Sequence, residues 1–235
     1  PVAWWSGPNE RKDAFSTLTP KEYMYCDEPA VRAQANYHKQ FLSRKNRYTE
    51  NSYADEPAIC ALEVWNEPAY ANYYYMTDPE SCYYGTDLKV LAPFKQRLQE
   101  RWKVWCSSNG VEPEPRWFPL FRYGVLSDYL ETMYGAMLST GARQPIAYNL
   151  FDSHSQDDIA QAIADSPCEA VTTGTYAGTW DKIADSMNLL PDAANKTLDG
   201  RMNDKVRMWY EFDAIKTMGS YMYPALARQA RNLGV

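Results

Sequence analysis

Apolar and polar residues follow one another along the chain in blocks that predict strands and helices in turn. Longer segments with apolar residues at three-and-four spacing predict amphipathic helices. The clearest of these extends from Val125 to Leu138 and is closed by Gly141. Short apolar runs are typical of parallel strands that are covered on both faces. The predicted strands are residues 58–65, 145–151, 170–176 and 206–211.

Further helices are predicted between and around these strands. They are a short helix after Thr19-Pro20, a helix over 30–48, one from Pro93, one capped by Ser155, and helices over 181–190 and 221–232. Strands that alternate with helices imply βαβ units and a parallel sheet. Periodicity alone leaves open whether that sheet is an open doubly wound sheet or a closed barrel.

Composition narrows the class of ligand. The 235 residues are 45% hydrophobic and 23% charged, as in globular domains, and the formal net charge is −6. Such a chain offers no basic face for nucleic acid or an anionic membrane surface, and it contains no apolar run long enough for a membrane span. The 19 Tyr and 8 Trp, against 7 Phe, have flat faces with polar edges that suit sugar rings. A neutral ligand therefore fits best.

The cysteines and the acidic cluster indicate no metal and no cofactor. The five cysteines are odd in number and widely spaced, which argues against a disulfide framework, although a Cys82–Cys106 bridge stays open. Cys60 lies in an apolar run and is predicted to be a core residue. The cluster Asp152, His154, Asp157 and Asp158 has no standard metal-ligand spacing, so helix capping at Ser155 is favoured over metal binding.

Two glutamates, far apart in the sequence, each end a predicted strand. Glu67 lies in Trp65-Asn66-Glu67-Pro68, and Glu211 ends Met208-Trp209-Tyr210-Glu211. Retaining glycoside hydrolysis requires two carboxyl groups held rigidly about 5 Å apart, one to attack the anomeric carbon and one to protonate the leaving oxygen. The carboxyl ends of parallel strands supply such positions. In the alternative interpretation Glu67 caps a helix and Glu211 is a surface acid.

The first motif carries a family resemblance. Glu63-Val64-Trp65-Asn66-Glu67-Pro68, with Arg47-Tyr48 and Glu56-Pro57-Ala58-Ile59 upstream, resembles the clan A glycoside hydrolases, most closely glycoside hydrolase family 5, the cellulase and mannanase group. The resemblance implies that Glu67 is the acid/base, that Glu211 is the nucleophile and that Asn66 binds the sugar 2-hydroxyl.

The same resemblance implies a fold and an activity. The expected fold is α/β, an incomplete (β/α)8 TIM barrel running from about the end of strand 3, at residues 2–5, through helix 7. Residues 1–235 would form a single catalytic barrel domain, as an excerpt of a longer chain. The expected activity is cofactor-free retaining hydrolysis of β-glycosidic bonds in a polysaccharide or oligosaccharide such as a mannan, a glucan or a β-galactoside. A non-catalytic carbohydrate-binding barrel and an open-sheet α/β binding protein are the alternatives.

Aromatic residues complete the expected substrate site. Tyr176 resembles the strand-six aromatic that hydrogen-bonds near the nucleophile in this clan, although Gly174 stands where family members usually carry His. Trp5, Trp180 and Trp209 are predicted to stack on sugar rings, against the alternative that they pack in the core or in loops.

Alternation along the strands gives one further prediction. Glu63 and Arg207 each lie four residues before a candidate catalytic glutamate, so both are expected on the face that carries the site. A buried charge requires a partner, which predicts a Glu63–Arg207 ion pair or a polar network shared by the two residues beneath the site. The alternative is a solvated Arg207 at the strand entrance. The sequence predicts neither localisation nor oligomeric state.

Overall fold

The computed structural model describes residues 20–81, 88–151, 156–176, 200–213 and 222–235. Within these residues four parallel strands form one sheet, and each strand pairs with the next along the chain. The strands are β1 (Leu62–Glu63), β2 (Ile146–Asn149), β3 (Ala170–Tyr176) and β4 (Val206–Asp213).

Six α-helices are described around this sheet. They are α1 (Glu28–Leu42), α2 (Tyr73–Thr77), α3 (Leu88–Ser108), α4 (Phe118–Leu138), α5 (Asp157–Asp165) and α6 (Met222–Leu233). Short 3-10 helices are found at Lys21–Tyr23, Tyr53–Asp55, Pro115–Trp117 and Gly200–Met202. None of the described helices combines the length and the apolar character needed to cross a membrane.

The expected incomplete (β/α)8 barrel, from about the end of strand 3 through helix 7, is wrong for this structure. The described residues form a four-stranded parallel sheet with helices, and the fold class is α/β without an eightfold barrel. Alternating strands and helices predict a parallel sheet, which the structure confirms. They do not dictate closure into a barrel, which came from the family resemblance. The expected strand at residues 2–5 and the expected helix at 181–190 lie outside the described residues.

Side chains on one face of the sheet build the core with the helices. Tyr148 of β2 is fully buried, and its ring packs edge-on against Tyr129 of α4 with 6.5 Å between the ring centroids. Ile146 and Val171 are also buried on this side. Apolar residues of α4 therefore pack against the face of the sheet that carries Tyr148, Ile146 and Val171. The residues that alternate with these three along the strands point to the opposite face.

The alternate positions carry polar groups. In the pairing register Glu63 of β1 lies opposite Ala147, and Asn149 lies opposite Thr172 of β3. Because side chains of paired residues point to the same side, Glu63, Asn149 and Thr172 share the face opposite Tyr148. The sheet thus has an apolar side toward the helices and a polar side toward the candidate site.

Candidate functional site

Glu67 lies in the loop that follows β1, in an unusual backbone conformation. Its φ of 47° is in the left-handed region, which costs a residue with a Cβ roughly 1–2 kcal/mol. The residue before a proline is also disfavoured in the right-handed helical region, and Pro68 and Ala69 are buried, which anchors the loop. The fold therefore holds Glu67 in a strained conformation, as is common at functional sites.

The Glu67 carboxylate is accessible and has a cationic neighbour. Its side chain is 35% exposed, and its Oε2 lies 3.9 Å from Nζ of Lys21, in the 3-10 helix Lys21–Tyr23. An ion pair this exposed contributes little stability, but it restricts where the carboxylate points. Asn66 is exposed at the same turn, so both residues of the motif can reach a ligand from solvent.

Beneath the loop, Glu63 is held in a polar network. Asn149 donates from Nδ2 to Oε1 of Glu63 at 3.0 Å, and the Thr172 hydroxyl donates to the same oxygen. Asn149 is fully buried and Thr172 nearly so. Burial raises the pKa of Glu63, the two hydrogen bonds oppose that change, and the charge of Glu67 adds to it. Glu63 and Glu67 are therefore electrostatically coupled.

The predicted Glu63–Arg207 ion pair is wrong. Arg207 is paired in register with Val171, a core residue on the helix side of the sheet, and its guanidinium donates to Asn203 Oδ1 at 2.5 Å. Alternation was counted back from Glu211 without a break, but the strand contains a break in register. Arg207 therefore lies on the opposite face from Glu63, whose hydrogen bonds come from Asn149 and Thr172.

That break is a bulge at Tyr210. Thr173 pairs with Trp209, but the next residue, Gly174, pairs with Glu211, so Tyr210 is an extra residue in β4. In the register, Gly174 shares the face of Thr172. The bulge thus turns Glu211, which uninterrupted alternation from Arg207 would place on the helix side, onto the polar face of the sheet.

The side chain of Tyr210 is influenced by residues of β1, of the loop that follows it and of β4. This half-buried side chain is subject to the charges of Glu67, Glu211 and Glu63. Burial raises the pKa of Tyr210 to about 12, the side-chain amide of Asn149 opposes the change, and the three carboxylates add to it. Glu67, in the loop after β1, and Glu211, two residues before the end of β4, therefore both lie near this phenol toward the carboxyl-terminal ends of the strands, and the Glu211 side chain is exposed there.

Of the other predicted site residues, the structure describes Trp209 and the backbone of Tyr176. Trp209 is half-buried and pairs with Thr173, so by alternation its side chain points away from the face of Tyr210. The indole N–H of Trp209 is buried and lacks a hydrogen-bond partner in the described part of the chain. The backbone of Tyr176 pairs with Asp213 at the end of β3, while its side chain lies outside the described set. Trp5 and Trp180 also lie outside the described residues, so these three roles stay predictions.

Sequence reasoning missed the residues that connect the glutamates. A polar residue in an otherwise apolar strand was the available signal for Asn149, which ends Ile146-Ala147-Tyr148-Asn149. Neither Tyr210 nor Lys21 had such a signal. Tyr210 reaches the site because of a bulge, and Lys21 approaches Glu67 from a segment distant in sequence.

The cysteine predictions are corrected in part. Cys60 is exposed, because β1 begins only at Leu62 and the residues before it do not enter the sheet. Cys106 is a buried free thiol, so it forms no bridge with Cys82. Among the described residues no group of three His, Cys, Asp or Glu side chains is arranged to hold a metal ion.

Comparison of the chain with protein-family models, with curated proteins and with solved structures finds no match. The family resemblance of the Asn66-Glu67-Pro68 motif stays a prediction, and the geometry around Tyr210 is the structural basis for assigning a function.

Proposed function

We propose that this chain hydrolyses β-glycosidic bonds in a polysaccharide or oligosaccharide, such as a mannan, a glucan or a β-galactoside, with retention of configuration. The observation that supports the proposal is the register of the sheet: the bulge in β4 turns Glu211 onto the polar face, and its charge and that of Glu67 both act on Tyr210. Double displacement requires two accessible carboxyl groups about 5 Å apart, and both glutamates are accessible toward the carboxyl-terminal ends of their strands.

Each glutamate has a defined role in this reaction. The Glu211 carboxylate attacks the anomeric carbon while Glu67, protonated, delivers its proton to the departing glycosidic oxygen. A glycosyl ester on Glu211 forms and the bond to the leaving group breaks. Glu67, now a carboxylate, removes a proton from water, which attacks the anomeric carbon and releases Glu211. Asn66, exposed beside Glu67, would donate to the sugar 2-hydroxyl, and no cofactor is needed.

The decisive experiment compares Glu67→Gln and Glu211→Gln on aryl β-glucosides, β-mannosides and β-galactosides and on the matching polysaccharides. Glu67→Gln should lower kcat/KM on natural linkages by about 10²- to 10⁴-fold, with a smaller loss on aryl glycosides whose leaving group needs no proton. Glu211→Gln should lower kcat by more than about 10⁴-fold on every substrate. Glu131→Gln, on the exposed side of α4, is the matched control and should leave turnover unchanged.

Azide separates the two roles. With Glu67→Ala, azide should restore turnover and give a β-glycosyl azide, because the ester on Glu211 still forms. With Glu211→Ala it should give the α-product. If the wild-type protein hydrolyses none of these substrates, and the glutamate variants bind glycans as tightly as the wild type does, the protein is instead a non-catalytic carbohydrate-binding protein.

A further inference from the structure

The loop that carries Glu67 is held at its far end by hydrogen bonds to the backbone of Ala71. The carbonyl of Ala71 accepts from Nη1 of Arg122 at 3.3 Å and from the Tyr25 hydroxyl at 3.4 Å. The N–H of Ala71 donates to the carbonyl of Glu22 at 3.0 Å. Ala71 is fully buried. Both of its backbone polar groups are therefore bonded to segments outside the loop, and we call this arrangement the Ala71 clamp.

Arg122 is suited to this contact because its guanidinium is itself fixed. Nε and Nη2 donate to the two carboxylate oxygens of Asp158 in α5, at 2.6 and 2.7 Å, which leaves Nη1 for the loop. Arg122 is only 7% exposed, so water competes little for these bonds. A planar guanidinium donates in several fixed directions at once, whereas the ammonium group of lysine does not reproduce that geometry. Asp158 thus orients Arg122 toward the loop.

The other end of the same loop is fixed by the sheet. The N–H of Val64 donates to the carbonyl of Ala147 in β2 at 3.0 Å. Between this bond and the Ala71 clamp, Glu67 has a φ of 47° and residues 68–70 are buried. A strained backbone conformation persists only where its surroundings over-determine it. The clamp therefore supplies one of the two fixed ends that hold Glu67 in its conformation.

We propose that Arg122 is a positioning residue for the acid/base: by holding the Ala71 carbonyl from α4, it fixes the loop in the conformation that directs the Glu67 carboxyl group toward the substrate. This inference rests on the proposed function and deepens it. Arg122 acts through the backbone of the loop and transfers no proton. Its loss should impair proton delivery to the leaving group and spare the attack by Glu211, which belongs to β4 and not to this loop.

The test variant is Arg122→Lys, which keeps a positive charge beside Asp158 and removes the donor to the loop. Arg101→Lys is the matched control. Arg101 of α3 also donates to one carbonyl and one carboxylate, those of Cys26 and Asp128, at 3.2 and 3.3 Å. The control therefore makes the same chemical change at a carbonyl outside the loop.

Amide hydrogen exchange of the unliganded protein, measured by NMR, reports on the Ala71 clamp without any turnover. In Arg122→Lys the protection of the Ala71 N–H relative to the Val64 N–H should fall by about tenfold or more, because a buried carbonyl loses a charged donor and the loop opens locally. In Arg101→Lys this ratio should equal that of the wild type. An unchanged ratio in Arg122→Lys, even in a less stable protein, would overturn the inference.

Tyr25→Phe tests the same carbonyl from another segment. It removes the second donor to Ala71 and keeps the ring that packs edge-on against Tyr70. The exchange ratio should fall by about threefold, as expected for the loss of one neutral hydrogen bond. Should urea unfolding show that Arg122→Lys is not folded, this variant decides, and a ratio equal to that of the wild type would overturn the inference.

Hydrolysis supplies the second readout. In Arg122→Lys, kcat/KM on natural linkages, whose leaving group needs the proton of Glu67, should fall by about 10- to 10²-fold, against less than about threefold on activated aryl glycosides. Equal losses on the two kinds of substrate would remove Arg122 from the acid/base. If no glycoside is hydrolysed while the exchange ratio falls, the proposed function fails and the control of the Glu67 loop by Arg122 stands.

Discussion

At the scale of single residues, the site depends on side chains in conformations that a sequence pattern does not encode. The Asn-Glu-Pro motif identified Glu67 as a candidate, but its positive φ is imposed by the buried Pro68 and the surrounding loop. The polar environment of Glu63 was anticipated with the wrong partner, because the alternation rule holds only while a strand has no bulge. The positions of Asn149 and Tyr210 near the site are evident only from the pairing register of the strands, which the sequence pattern does not give.

The strain at Glu67 can be measured. Both Glu67→Gly and Glu67→Ala remove the carboxylate, but only glycine adopts φ of 47° without a steric cost. The Gly variant should exceed the Ala variant in free energy of unfolding by about 1 kcal/mol, measured by urea denaturation. Equal or reversed stabilities would show that the backbone of Glu67 is not strained.

His38 should make stability depend on pH. Burial lowers the pKa of His38 to about 4, opposed by a hydrogen bond with the Val64 backbone. The folded protein keeps His38 neutral, while the unfolded chain protonates it near its ordinary value of about 6.5. The stabilisation is therefore present above that value and is lost as pH falls to about 4, by about 3 kcal/mol in total.

The contribution of His38 is isolated by His38→Gln, which keeps a hydrogen-bond donor and does not titrate. Urea unfolding of the wild type and of His38→Gln at pH 7.5 and pH 5 should show a smaller loss of stability in the variant. Identical losses in the two proteins would contradict a buried neutral His38.

At the scale of elements, sequence patterns predicted which segments form strands and helices more accurately than where each element begins and ends. Residues 170–176 were predicted as a strand and form β3 with the same bounds. The predicted strand over 58–65 is reduced to Leu62–Glu63, the two residues that pair with β2. Helix α3 begins at Leu88, five residues before the predicted start at Pro93. Pro93 thus lies in the second turn of the helix, where a proline removes one backbone hydrogen bond.

A buried ion pair joins two of the helices and should be costly to break. Arg122 of α4 and Asp158 of α5 form two hydrogen bonds of 2.6 and 2.7 Å, with side chains only 8% and 12% exposed. Arg122→Met leaves a buried carboxylate without its partner and should cost about 3–5 kcal/mol in urea unfolding. The double variant Arg122→Met/Asp158→Leu should lose less.

The exposed pair Arg32–Glu28 is the control for this prediction. Its side chains are 68% and 75% exposed, so Arg32→Met should change stability by less than about 0.5 kcal/mol. A comparable loss at the two sites, or a double variant at Arg122 and Asp158 as unstable as the single one, would contradict the assigned role of the buried pair.

At the scale of the whole molecule, the alternation of strands and helices predicted the parallel sheet correctly. Neither the order of the strands nor closure into a barrel could be derived in this way, because βαβ units are compatible with both an open sheet and a barrel. What positions the candidate site is local: β1 and β4 belong to one parallel sheet, Glu67 and Glu211 lie toward the carboxyl-terminal ends of these strands, and both of their charges act on Tyr210. The central claim therefore concerns the pair Glu67 and Glu211 at these strand ends.

Covalent trapping tests that claim most directly. The wild-type protein is treated with 2-deoxy-2-fluoro β-glycosides of the gluco, manno and galacto series, each carrying an activated leaving group, and is then digested and sequenced by mass spectrometry. We predict a fluoroglycosyl ester on Glu211 for at least one series. Labelling of a different carboxylate, or no label on Glu211 with any of the three, would contradict the account.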